Sequence, residues 1–583
     1  MANYFRDNHD ILFNLERAGL RELADLIEAD YSAAKKSDFA PEDSLDAQEN
    51  YVNICDLAGE LCGGPVTERA RQIDKEGNQL KNGRVIYHPL VEKNLEDFKK
   101  AQLMGISLPR EYGGLNMPQV VKIAVLEMVS RADASLMNLV GLQDIAETIN
   151  EFGSPAQKEE YIPPLARGQT TGAMILTEPD SGSDLQSVSL KAAPPDNGDN
   201  EGVWRLNGVK RFITNGNGET LLVLARSEEG TADGRGLSMF VCSRDDSIYI
   251  RRIENKLGIH GSPTCDMLFQ NTPAYLVGQR KRGLIKYVMS LMNGARMGVA
   301  AQAVGIAEAA YREARNYAET RTQFGKAIIK FPAVYEMLTN MKVKIEAGRL
   351  LLYETGKVVD QFKIPKERLE AARFKGLPID PDEKKNIRTY ERLASVLTPF
   401  SKYYNSEMCN QISYDGIQVM GGSGFMKDYN MERYYRDARI TNIYEGTSQL
   451  QIVGALGGVL AGILNPIFDD FKAKTSSDPL EELGKITRSM IPLIYEVMDF
   501  VKQKRDHEFT EFVARRIVDM AINIFISIQF LSSAEKNVQK TYSAEIWIRE
   551  ASLLCSENHK FILSDPHQII DLHKQIIGLD ASA

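Results

Sequence analysis

The stretch Arg436-Asp437-Ala438-Arg439-Ile440-Thr441-Asn442-Ile443-Tyr444-Glu445-Gly446-Thr447-Ser448-Gln449 sets a carboxylate between an aromatic ring and a glycine. It lies in a polar break in an otherwise helical pattern. A lone glutamate in such a break is more often a solvated surface group than a reacting one, so its surroundings have to decide. Just upstream, Gln418-Val419-Met420 runs into Gly421-Gly422-Ser423-Gly424. Glycines let backbone approach a phosphate closely. These follow no strand of a βαβ unit, so a nicotinamide-dinucleotide fingerprint does not fit them.

Working outward, residues 284–456 carry helical periodicity, with Ala300, Val304, Ala307, Ala310 and Tyr311 on one stretch. The charged segment 360–392, with Pro365, Pro378 and Pro381, reads as a surface insertion between helices. Before this region the texture is short strands at 220–225, 237–242, 247–253 and 266–269. Trp204, Arg205 and Leu206 alternate with period two, and Asn207-Gly208 then predicts a tight hairpin turn. Residues 1–170 read as mostly helix, with Val121, Ala124, Val125 and Met128 on one face. After Asn465-Pro466, Ile517, Ala521, Ile524, Ile528 and Leu531 again share a face. The expectation is an α+β chain in four parts. These are a helical domain at 1–170, a compact antiparallel β domain at 171–279, a helical domain carrying Glu445 at 280–464, and an extra helical domain at 465–583.

Composition narrows the classes. The 583 residues suit several domains, and 43% apolar with 26% charged residues is the balance of a soluble globular chain. A net charge of −9 argues against nucleic acid as the partner. The six scattered cysteines form no CxxC pair, and no HExxH is present, so no metal is expected and a cytoplasmic location fits. The N-terminus lacks the pattern of a signal peptide. The apolar run 520–531 is too short to span a bilayer and contains Asn523 and Gln529, so it reads as a buried helix.

Three further constellations join the first. Leu176-Thr177-Glu178-Pro179-Asp180-Ser181-Gly182-Ser183-Asp184 opens the β region with small residues and hydroxyls. Lys210-Arg211-Phe212-Ile213-Thr214-Asn215-Gly216 sets an aromatic ring two residues before a hydroxyl, an arrangement that can flank a flat ring and bond its edge. Arg321-Thr322-Gln323-Phe324-Gly325 follows a helix that includes Asn293 and Arg296, and arginine suits phosphate. Each alone has a bland reading as a turn, a core ring or a surface cation.

Together, in this order and wording, the four resemble the acyl-CoA dehydrogenase family over roughly residues 90–460. The resemblance implies a fold of helical domain, β domain and four-helix bundle. It implies FAD as cofactor, an acyl-CoA thioester as substrate, and an electron-transferring flavoprotein as partner. It also implies a homodimer or homotetramer with FAD near the subunit interfaces. Glu445 falls where the family carries its base. Leu176, Thr177, Phe212, Thr214, Thr447 and Gln449 fall on flavin-binding positions, and Ser183 falls where FAD and the CoA end of the substrate are held. Arg321, Gln323 and Phe324 match positions that reach the FAD of a neighbouring subunit, with Gln418, Gly421 and Gly422 near its adenine and diphosphate. Asn293, Arg296 and Gly446 match acyl-CoA contacts. Some branches carry the base near Arg296, but Met292-Asn293-Gly294-Ala295-Arg296 offers no carboxylate.

Three features depart from the compact pattern. Phe212 stands where many members have tryptophan, Phe331-Pro332 replaces a polar pair, and the chain is longer. The extended layout, with Ile73-Asp74-Lys75-Glu76-Gly77 and Gly83-Arg84-Val85, resembles the longer-subunit branch that includes methylthiopropionyl-CoA dehydrogenases. An acyl-CoA oxidase and a non-catalytic acyl-CoA-binding relative are the alternatives; acyl length is open.

Overall fold

In the computed structural model, described residues are 2–35, 40–195, 200–374, 376–475 and 478–579. Helices dominate up to Ala166, apart from a small hairpin of Gln79–Lys81 and Arg84–Ile86 that the helical reading of this region passed over. The helix Gln119–Ala132 is buried at every position, including Lys122, Glu127 and Arg131. A helix buried all round has to bring partners for its charges. Lys122 Nζ meets Asp144 at 2.6 Å and Glu147 at 2.8 Å, and Glu127 meets Arg349.

The β region is a seven-stranded sheet, antiparallel in most of its pairs, although Gly172–Ile175 runs parallel to Thr220–Arg226. Thr220–Arg226 pairs with Leu237–Ser243, which pairs with Thr264–Val277, which pairs with Trp204–Thr214; Lys191–Ala193 pairs with Trp204–Thr214 and touches Thr220–Arg226 at Arg226, so the sheet curls back on itself. The expected turn at Asn207-Gly208 is not there. Both residues lie inside the eleven-residue strand Trp204–Thr214, at a register shift between Leu206 and Gly208. Gly208 has φ +142°, and a Cβ there would stand 3.1 Å from the backbone of Leu190. The glycine serves a bulge and a close approach rather than a reversal.

Four long helices follow: Met289–Thr320, Pro332–Phe374, Pro381–Met420 and Ser448–Leu460. The expected insertion at 360–392 is instead mostly a lengthening of two of these helices. Residues 360–374 continue one and 381–392 begin the next, with Pro365 inside the first. The C-terminal helices Glu481–Lys504, His507–Lys536 and Lys540–Leu563 form a second bundle against the first, and Ser448–Leu460 packs on both. His507–Lys536 is long and apolar enough to cross a membrane, but 78% of its most apolar window is buried in this bundle.

A buried ionic network ties the parts together. Arg349, fully buried, donates to Glu127 at 2.6 Å, Glu308 at 2.8 Å and Asp10 at 3.1 Å. Asp10 also accepts from Lys540. One cluster therefore joins the first helix, the buried Gln119–Ala132 helix, the bundle and the C-terminal extension.

Candidate active site

A cavity of about 1120 Å³ opens where the β sheet meets the first bundle. Its wall brings together residues far apart in sequence: Leu176, Thr177, Ser183, Phe212, Thr214, Arg296, Glu445, Gly446 and Thr447.

The sheet side is built by a buried pair. Lys210, with no exposed surface, donates to the Leu176 carbonyl at 2.7 Å and lies 3.0 Å from Glu178. Glu178 accepts in turn from the backbone N–H groups of Ser189 and Leu190. Burial pushes the Lys210 ammonium down to about 8 against the pull of Glu178. The Arg211 amide donates to the Thr177 carbonyl at 3.0 Å, so the motifs at 176–184 and 210–216 are stitched into one surface. A second register shift, between Lys210 and Ile213, bulges the strand there, and Phe212 takes φ +62°. That sparsely populated backbone turns the ring outward, where it is 49% exposed on the cavity wall.

The bundle side is the turn at Glu445, between the helices Met431–Ala438 and Ser448–Leu460. Arg436 and Asp437 fasten its upstream end to the N-terminal helix Thr67–Glu76 and to the loop that precedes the strand Thr264–Val277. Arg436 Nη2 lies 2.6 Å from Asp74, and the Ile259 amide donates to Asp437 at 2.6 Å. Tyr444 is pinned through its hydroxyl, which donates to Gln302 and, at 3.2 Å, to Asn138. Glu445 then adopts φ +55° and Gly446 φ +88°. Two successive left-handed residues reverse the chain, and the second is the glycine that tolerates this. Their carbonyls are held from behind. Gln451 Nε2 donates to both, at 3.1 and 3.0 Å, and Lys402 Nζ donates to the Gly446 carbonyl at 2.7 Å. Among the described residues, no hydrogen bond is made by the Glu445 amide.

Burial pushes the Glu445 carboxyl up to about 7, against the cations Lys402 and Arg296. Burial also pushes Lys402 down to about 7, and lowers Arg296. The site therefore presents a carboxyl poised near neutrality beside an unengaged backbone N–H. That combination can accept a proton while stabilising charge that develops on an adjacent oxygen.

Other residues singled out in the sequence lie off this cavity. Asn293 accepts from Arg296 Nη1 at 3.1 Å without lining the wall. Gln449 is exposed at the start of its helix. Arg321 caps the Met289–Thr320 helix, and Gln323 and Phe324 form a tight exposed hairpin, with Phe324 94% exposed. The Gln418-Gly421-Gly422 helix end lies near that same end of the bundle, because Tyr317 Oη and Ser423 Oγ are 3.0 Å apart. A Cβ at Gly421 or Gly422 would meet nothing within 4 Å, so this glycine turn is open.

Sequence reading did not single out Lys402 or Gln451 as site residues. Lys402 carried a signal. It shares a helical face with Thr398, Asn405 and Cys409, all buried, and a lysine on such a face needs a partner.

Comparison with known proteins is consistent along the chain. The descriptions "Acyl-CoA dehydrogenase, N-terminal domain", "middle domain" and "C-terminal domain" match residues 51–169, 173–272, and 282–376 with 386–454. "Acyl-CoA dehydrogenase C terminal" matches 461–566. The 3-methylmercaptopropionyl-CoA dehydrogenase of Ruegeria pomeroyi is 34% identical over 425 residues, 68% of each chain. A chain of a structure described as the electron transferring flavoprotein of Acidaminococcus fermentans is 31% identical with a TM-score of 0.59, over 71% of this chain and 98% of that one. An acyl-CoA dehydrogenase complexed with FAD, from Bacillus anthracis, shares the fold with a TM-score of 0.73 over 88% of each chain at 24% identity. With all four domain descriptions matched in order, the chain belongs to the acyl-CoA dehydrogenase family of FAD-dependent oxidoreductases.

Proposed function

We propose that this enzyme converts an acyl-CoA thioester to its trans-2-enoyl-CoA, with Glu445 as the base for the α proton and an electron-transferring flavoprotein as the electron acceptor. The observation that carries the reading is the Glu445 turn: a carboxyl near neutrality, facing a large cavity, beside its own free amide.

The wall residues fit the family's cofactor. Thr177, Phe212 and Thr214 offer hydroxyls and a ring face on one surface, and Ser183 continues it. Bound there, FAD supplies the acceptor for the β hydride at its N5. The rest of the work falls to the chain. A proton α to a thioester is weakly acidic, so Glu445 needs help. The Glu445 N–H is free to bond the thioester oxygen, lowering the cost of enolate charge where it develops. Substrate entering the cavity excludes water and holds the carboxyl near its working range. Lys402 and Gln451, bonded to the turn's carbonyls, keep carboxylate and amide in one orientation. Arg321, Gln323, Phe324, Gln418, Gly421 and Gly422 are assigned to the FAD of a second copy of the chain. Their exposure, with an open glycine turn at the same end of the bundle, supports a homo-oligomer.

The test is Glu445→Gln. It should keep FAD and lose more than about a thousandfold in turnover, since it removes the proton acceptor. Near-normal turnover in that variant would rule out this base. Reduction of a purified electron-transferring flavoprotein by the wild-type enzyme, with slow reoxidation in air, is the expected result for the acceptor.

A further inference from the structure

The turn that carries Glu445 is a loop closed at its neck. The Ser448 amide donates to the Asn442 carbonyl at 3.2 Å. Both residues also reach one carboxylate on the helix Pro381–Met420. Glu407 Oε1 accepts from Ser448 Oγ and, at 3.2 Å, from Asn442 Nδ2. Asn442 and Ser448 each stand three residues from Glu445, on opposite sides of it in the chain. Glu407 therefore clips the loop together. The same helix holds the loop region at two further points, through Lys402 on the Gly446 carbonyl and through Asn410, whose Nδ2 donates to the Ala438 carbonyl at 3.0 Å. The other oxygen of the clip faces the C-terminal extension. Arg515, on the helix His507–Lys536, places Nη2 3.4 Å from Glu407 Oε2. Its Nε donates to the Tyr403 hydroxyl at 2.8 Å. That hydroxyl donates to Asp519 at 2.9 Å, one turn along from Arg515. Tyr403 is buried and follows Lys402 directly.

We propose that the C-terminal extension positions the Glu445 turn, with Arg515 orienting Glu407 so that its other oxygen keeps Asn442 and Ser448 clipped. The inference rests on Glu445 being the base, and Arg515 and Glu407 act as positioning residues for it. A cation beside Oε2 favours the orientation that aims Oε1 at the loop. The Glu407 side chain is 37% exposed, so without Arg515 it is free to turn to water. The neck would then be held by one backbone bond. Placement of the base and its amide matters steeply, because a displacement of about 1 Å can cost about a hundredfold in rate. Arg515 is itself 49% exposed, and a pair so exposed adds little to global stability. A change at Arg515 therefore tests positioning without unfolding the protein.

The experiment measures turnover and amide exchange together in Arg515→Met, Glu407→Gln and their double variant, on the FAD-loaded enzyme. Butyryl-, octanoyl- and palmitoyl-CoA are the probes, and the one that the wild type oxidises fastest is used throughout. Glutamine keeps an oxygen for Asn442 and Ser448 but loses the charge that engages Arg515. Each single variant should lose about three- to tenfold in kcat with KM within about twofold, and the double variant should be no more than about twofold worse than either. Deuterium exchange in a peptide spanning 440–450 should rise about two- to fivefold in each. Lys504→Met removes another ion pair of the extension, that with Asp565 at 2.6 Å, and should leave both readouts at wild-type values. Exchange at the wild-type rate in both single variants overturns the proposal. So do losses that multiply in the double variant, or an equal loss in Lys504→Met. If Glu445→Gln turns over near normally while Arg515→Met and Glu407→Gln still loosen the peptide, the base assignment falls and the brace on the turn stands. If Glu445→Gln is inactive and the loosened variants keep their turnover, the base stands and the positioning role falls. Should none of the three thioesters be oxidised, the proposed function is what fails, and exchange alone decides the brace.

Discussion

Lys402 offers the sharpest test of how the site is tuned. It has no exposed surface, donates to the Gly446 carbonyl at 2.7 Å, and is the stronger of the two cations that hold the Glu445 carboxyl down against burial. The charged groups facing this pair are Arg296, on the Met289–Thr320 helix, and Glu407, one turn beyond Lys402 on its own helix. Replacing Lys402 with methionine removes both its charge and its hydrogen bond, whereas glutamine removes the charge and keeps a donor. An opposite charge within about 4–6 Å lowers a carboxylate by about one to three units. Because burial leaves Lys402 itself at about 7 and only partly protonated there, one to two units is the fitting range. Glu445 should then rise from about 7 to roughly 8–9. At pH 7 the ionised fraction of the base drops from about half to between about a tenth and a hundredth, so kcat/KM falls about five- to fiftyfold. The assay is the pH profile of kcat/KM from pH 6 to 10. Its ascending limb should move to higher pH in both variants, with activity recovering at the alkaline end, and the methionine variant should also have a lower plateau. A loss uniform across pH, with the limb unmoved, would refute the electrostatic role and leave Lys402 only a brace for the turn.

Two predictions concern stability. Arg349→Met leaves Glu127, Glu308 and Asp10 buried without their shared cation and should cost about 3–5 kcal/mol in denaturant unfolding; a loss under about 1 kcal/mol would mean that the network relaxes around the change. His260 accepts the influence of Asp74 at 3.0 Å and is raised to about 9, so its contribution is fully present below the ordinary imidazole value near 6.5 and is lost as pH rises through about 9. His260→Gln should therefore lose Tm chiefly below about pH 8, with the gap to wild type closing toward pH 10; a gap constant across that range would exclude the linkage.

Much of the architecture was legible from local pattern, because helical and strand periodicity are properties of consecutive residues. The order helical, β, helical, helical follows from it, as does the buried apolar helix at residues 520–531. Local pattern misled where a residue serves a distant contact. Gly208 looked like a turn glycine, and it is a bulge glycine because Leu190 lies against it. Pro365, Pro378 and Pro381 looked like an insertion, and the bundle extends its helices through most of that segment.

The site divides the same way. By itself the sequence determined the family motifs, the glutamate between Tyr444 and Gly446, and the absence of a rival carboxylate beside Arg296. Only the tertiary structure decided what surrounds that glutamate. Lys402 stands 43 positions earlier and belongs to no recognisable run. A carboxyl's proton affinity is set by burial and by charges within a few ångströms. Those surroundings are distances in space, and sequence separation carries no information about them until the chain has packed.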